Sequence, residues 1–222
     1  MAAPNVARPV ITSGPTDRLH RRPAYSDRRN RIDAEIAGRP GQAQRHHARY
    51  DPAMTTSLLA DAFGHHIWAT LQVIDACETL TPEQIATSVP GTYGSIIDTL
   101  RHTVAGDCGY LFALTGGRVP EIDEDSMDLA QLRAAIEANG DSWTALLAQD
   151  LDPETTVTRH RDDGSDSHAP LGIRLAQAVH HGTDHRSQIC TALTNLGIEP
   201  PAIDVWDFAS TDGRLSETQP GG

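Results

Sequence analysis

An all-α chain, built as an up-down four-helix bundle, is what this sequence predicts, and three observations predict it. Four stretches between Thr56 and Leu196 carry apolar residues at helical spacing. Cap and breaker residues bound them: Thr81-Pro82, Pro90-Gly91, Gly116-Gly117 and Gly197. The links between them are mostly short, as a simple bundle requires.

Residues 1–53 are rich in Arg, Pro, Gly and polar side chains and lack sustained apolar periodicity, so they are expected to be a disordered tail. Met54 directly precedes the first helical pattern. The tail is therefore either a real extension or a mis-assigned start. His46 and His47 fall in it and are expected in solvent.

The first helix is expected from Thr56 to Glu78, with Leu59, Phe63, Ile67, Leu71 and Ile74 on one face. Thr81 caps a short turn of helix with Pro82 at its first position. The second helix is expected from Ser95 to Leu114, its seam being Ile97, Leu100, Val104, Cys108 and Leu111. An acidic loop, 118–126, follows. The third helix is expected from Met127 to Gln149, with Asn139-Gly140 marking a candidate kink. Weak alternation over Thr155–Arg161 and the turn signal Asp163-Gly164 suggest a small hairpin. The fourth helix is expected from Pro170 to Leu196. The segment Ile198–Phe208, with an exposed-looking Trp206, is expected to fold back as a short C-terminal extension. The domain is thus placed at 54–210, and 211–222 as a second disordered tail.

The net charge of -12 conceals a split. Residues 1–53 hold ten Arg and five acids, about +5; the rest holds eight Arg and 25 acids, about -17. So acidic a body is a poor partner for nucleic acid, whose phosphates need cations. No lysine occurs at all, which suggests a high-GC coding bias. No apolar run reaches the roughly 18 residues of a membrane span, and no signal-peptide block opens the chain. Three scattered cysteines (77, 108 and 190) read as free thiols, small buried hydrophobes of a reducing cytoplasm.

The chemistry concentrates in Val179-His180-His181-Gly182-Thr183-Asp184-His185-Arg186. His181 and His185 are four apart on a strong helix, so they lie one above the other. Ala178, Ile189, Ala192 and Leu196 make the rest of that stripe apolar, which turns both imidazoles toward the core. Two inward imidazoles need a partner to satisfy them, and a shared metal ion does so. The alternative is a pair bonded to backbone or to each other. A third ligand is needed, and His102 is the candidate, on a helix whose Ala105, Gly106 and Gly109 permit close approach. His65 and His66 are rivals, as a further ligand or as pocket wall, the alternative being half-exposed polar residues. Asp98 and Asp107 flank His102, and either is a candidate to orient a ligand or act as a catalytic base. Three neutral ligands leave coordination positions open, a catalytic rather than structural pattern.

The run Ala178–Ile189, with its His-Gly-x-x-His-Arg-x-Gln, resembles the fourth-helix signature of the DinB family. Asp98–Asp107 is similar to that family's second-helix motif, and Leu59–Ala69 to its first helix. The resemblance covers Met54 to Phe208. It implies an up-down four-helix bundle with a histidine triad, His102 from the second helix and His181 and His185 from the fourth. It also implies a homodimer and a divalent metal, zinc or nickel foremost, and adds Trp68, Tyr93 and Arg186 as pocket candidates. Characterised relatives include thiol-dependent transferases and isomerases using mycothiol, bacillithiol or glutathione; the coding bias favours mycothiol. The expected function is a metal-dependent transferase joining such a thiol to small electrophiles. Competing readings are a metal-dependent hydrolase with Asp107 as base, and a non-catalytic metal or small-molecule binding module.

Overall fold

A computed structural model describes residues 58–161 and 163–218. The expected N-terminal tail, Met54, His46 and His47 lie outside the described residues. Those residues form six helices and one two-stranded antiparallel sheet: α1 (Leu58–Cys77), α2 (Pro82–Ile85), α3 (Ile96–Thr115), α4 (Leu129–Leu147), β1 (Thr156–His160), β2 (Asp166–Pro170), α5 (Leu171–Asn195) and α6 (Val205–Thr211). None of the helices is long and apolar enough to cross a membrane.

The helix starts are written in short polar side chains. Thr81, Ser95 and Asp128 each accept a backbone N–H three residues on, and Gln84, Asp98 and Gln131 return the bond to the cap's own N–H. These reciprocal bonds satisfy donors that a helix N-terminus otherwise leaves bare. Asp98 is thereby committed to capping α3, with Arg101 at 3.7 Å. Gly116, in the left-handed region at φ 64°, ends α3, where a side chain would be strained.

Asn139-Gly140 does not interrupt α4. Asn139 turns inward and is 2% exposed. Gly140 makes room for Ile67, whose Cγ2 would stand 3.3 Å from an added Cβ. The expected hairpin is present, in a register that pairs Thr156 with Pro170 and His160 with Asp166. Gly164, at φ 80°, closes its turn.

The four long helices bury two apolar clusters. Val73, Ile74, Leu100, Val104, Leu132, Ile136, Ile189 and Leu193 build one. Phe63, Leu111, Trp143, Leu146 and Leu175 build the other. Full burial of each large side chain contributes roughly 1.5–3 kcal/mol. His66, Asp107, Asn139 and Arg186 lie buried where the two clusters meet along the helices.

The helix directions depart from a simple alternating order. Helix α1 packs on α4 and α5, and α3 packs on the same two. Arg133 of α4 pairs with Asp75 and Glu78 while Trp143 stacks on Phe63, so α1 and α4 run oppositely. On α3, Arg101 bonds the Met127 carbonyl and Asp107 accepts from Trp143, so α3 and α4 run the same way. Tyr93 bonds Gln188 while Tyr110 meets His181, so α3 and α5 are opposed. The first and last long helices therefore point one way and the middle two the other. The physical reason is link length. Residues 116–128 form no regular element, and at about 3.3–3.6 Å per residue they can run back along the roughly 30 Å of α3. That returning loop carries Glu121 past Gly109 and Glu124 to His102.

The C-terminal segment does fold back. His65 Nε2 donates to the Ile203 carbonyl at 2.8 Å, Phe208 packs on Trp68, and Arg214 pairs with Asp61 at 2.6 Å. Trp206 is exposed.

Candidate metal centre

His102 of α3 and His181 and His185 of α5 converge. One ring nitrogen from each lies within 4.8 Å of the others. The Nε2 atoms of His102 and His181 stand 3.3 Å apart. Two donors on one tetrahedral ion with bonds near 2.1 Å stand about 3.4 Å apart, so this separation suits a shared cation.

Each ring is turned by something behind it. His102 Nδ1 lies 2.9 Å from Glu124 Oε1. A carboxylate only accepts, so Nδ1 carries the proton and Nε2 presents its lone pair to the other rings. Tyr93 stacks flat on His102, centroids 3.9 Å apart and planes 10° apart. Gln188 Oε1 accepts the Tyr93 backbone N–H at 2.8 Å, which fixes its amide orientation, and lies 3.3 Å from His185 Nδ1. His185 therefore donates from Nδ1 and keeps Nε2 free. A metal-ligating histidine is ordinarily held this way, through its second nitrogen.

His181 is placed by a missing side chain. A Cβ on Gly106 would sit 2.4 Å from His181 Cε1; only glycine lets that ring lie against α3. Burial lowers the His181 pKa to about 4, with His185 and His102 adding to the effect, and burial also lowers that of His185. Both rings are thus neutral near pH 7, the form that binds metal.

The triad is open on one side. His102 and His181 face a cleft of about 480 Å³ walled by Tyr110, Glu121, Ile122 and Arg159. His185 lies deeper, at 8% exposure.

The other expected site residues fall in three places. Tyr93 is at the triad. His65 and Trp68 pack with Phe208 under the C-terminal segment instead. His66, Asp107 and Arg186 form a buried network. Arg186 Nη1 donates to His66 Nδ1 at 3.0 Å, so His66 carries its proton on Nε2 and donates it to Asp107 Oδ1, also at 3.0 Å. Asp107 also accepts from Trp143 at 3.0 Å and from Asn139 at 2.8 Å. Burial lowers the Arg186 pKa to about 10, partly offset by Asp107, so it stays charged near pH 7. Asp107 is 1% exposed and is not among the residues walling the cleft. Gly182 leaves space for this network: a Cβ there would meet His66 Cε1 at 2.3 Å.

Sequence reasoning missed Glu124, Gln188, Glu121 and Arg159. Gln188 was visible at i+3 from His185 on the same helix. The other three come from a loop and a hairpin, where no periodicity points to a site.

The family model described as the DinB family matches residues 54–219. None of the curated proteins matches the chain.

Proposed function

The chain belongs to the DinB family, and from that premise we propose that it is a four-helix-bundle enzyme with a divalent cation, zinc or nickel, held by His102, His181 and His185. Its reaction joins a low-molecular-weight thiol, mycothiol-like, to a small electrophile. The observation that carries this reading is the three-histidine cluster opening onto a cleft.

A cation held by three neutral imidazoles supplies positive charge that favours the thiolate form of a thiol bound beside it. The chain's own residues do the rest. Glu124 and Gln188 hold two imidazoles in the tautomer whose Nε2 is free. Tyr93 covers one face of His102. In the transfer, the thiol gives its proton to solvent and its sulfur forms a bond to the electrophilic carbon. The leaving group departs with the electrons of the bond that breaks.

One feature favours a thiol over water, and another favours a thiol from outside the chain over the chain's own. Both carboxylates in the cleft wall already have partners, Glu121 with Arg159 and Glu124 with His102, so a base for water would have to be drawn from one of these pairs. The chain's own thiols are also unsuited. Burial pushes Cys77 up to about 12 and Cys108 to about 11, so neither is a nucleophile near pH 7.

The test is turnover of 1-chloro-2,4-dinitrobenzene by zinc-loaded full chain, with and without added thiol. Thiol-dependent turnover, lost in His181→Ala, is the expected result. Turnover of ester substrates without thiol would instead favour the hydrolase, and silence with every thiol would leave a binding module.

A further inference from the structure

We propose that Arg159 receives an anionic group of the ligand, so that the cleft takes small molecules pairing a metal-binding sulfur with a carboxylate. This rests on the metal-and-thiol reading above and narrows it, from a mycothiol-like thiol whose cysteine carboxyl is tied up as an amide to a thiol that keeps a free carboxylate. Among the described residues walling the cleft, Arg159 is the sole cation, beside Glu121 and Glu124. It reaches in from β1 and crosses α3 at Gly109, where an added Cβ would lie 3.4 Å from its Nη2. That nitrogen donates to Glu121 Oε1 at 3.1 Å. The pair is a loose one, since the Arg159 and Glu121 side chains are 41% and 49% exposed, and such pairs are weak. A planar guanidinium offers five N–H donors, so one bond to Glu121 leaves capacity for a bidentate carboxylate.

The hairpin that carries Arg159 is firmly seated. Arg174, 8% exposed on α5, donates to the Val157 carbonyl at 3.0 Å and to the Ser167 carbonyl at 2.7 Å, tying both strands down.

Spacing selects the ligand's size. The His181 ring lies over Gly106 and the Arg159 tip over Gly109, three residues on. Along a helix that is about 4.5 Å, so one small molecule can reach both.

The experiment is calorimetric titration of the zinc-loaded full chain with 3-mercaptopropionate and, separately, with 2-mercaptoethanol, which lacks the carboxylate. The parent is expected to bind the acid about tenfold or more tightly than the alcohol. Arg159→Gln is expected to abolish the difference with zinc content and 2-mercaptoethanol binding unchanged. Arg159→Lys keeps part of it, and Glu121→Gln widens it by freeing the guanidinium. Equal affinity for the two thiols in the parent, or an undiminished preference in Arg159→Gln, would overturn the role of Arg159 alone. Failure to take up zinc, or to bind either thiol, would overturn the underlying reading and this proposal with it.

Discussion

His102 owes its orientation to Glu124, His185 to Gln188, and His181 to the bare backbone of Gly106. Loss of a carboxylate behind a ligating imidazole typically weakens metal binding about 10–100-fold. Glu124→Gln is therefore expected to lower zinc affinity by that factor in a chelator competition, with the circular dichroism unchanged. Asp107 belongs to a different class. Asp107→Asn removes a buried charge that three side chains donate to, and leaves Arg186 with no buried counter-charge. It should cost about 3–5 kcal/mol in urea unfolding while zinc content holds at the parent value. A loss of metal with stability intact would instead place Asp107 in the site's chemistry. The cysteines give a pH-dependent test. Cys77 and Cys108 have folded pKa values raised above the ordinary thiol value by burial. Both therefore stay protonated at pH 8, and iodoacetamide should modify neither in the native chain, while the denatured chain takes up three equivalents, one per cysteine. The same shifts make the folded state lose stability above about pH 9, where unfolded thiols ionise first.

At the scale of elements, α3 supplies both a ligand and the gap its partner occupies. Gly106→Ala would force the His181 ring off its position and is expected to abolish metal uptake. Gly109→Ala, one turn on, meets the flexible ends of Arg159 at 3.4 Å and Glu121 at 3.5 Å and should keep the metal. Replacing glycine within a helix also favours folding by up to about 1 kcal/mol, so any stability gain should accompany the Gly109 variant. Metal analysis beside thermal denaturation of the two variants checks both. The existence of the helices was legible because amphipathic spacing and capping side chains are local signals. Thr81, Ser95 and the His181–His185 spacing were all read from neighbours four residues or fewer away. The burial of His66 was harder to see, because it depends on Asp107 and Arg186, 41 and 120 residues distant in sequence.

At the scale of the molecule, chain direction was the feature least accessible from sequence. Turn and breaker residues show where α3 ends, but not that residues 116–128 return along it. Because they return, an acidic stretch that reads as a solvated loop becomes the wall of the cleft and the support of His102. The same long-range arrangement carries Arg159 from the hairpin to Gly109. The family match over residues 54–219 spans α3, α5 and the segments that follow α3 and α4. What binds there first is the central question. Metal content by mass spectrometry, on purified full chain beside His102→Ala and His181→Ala, answers it most directly. The account predicts about one equivalent of divalent metal in the parent, lost in both variants with helicity retained. A parent that stays metal-free after incubation with zinc or nickel would contradict it, and the three imidazoles would then be a hydrogen-bonded cluster.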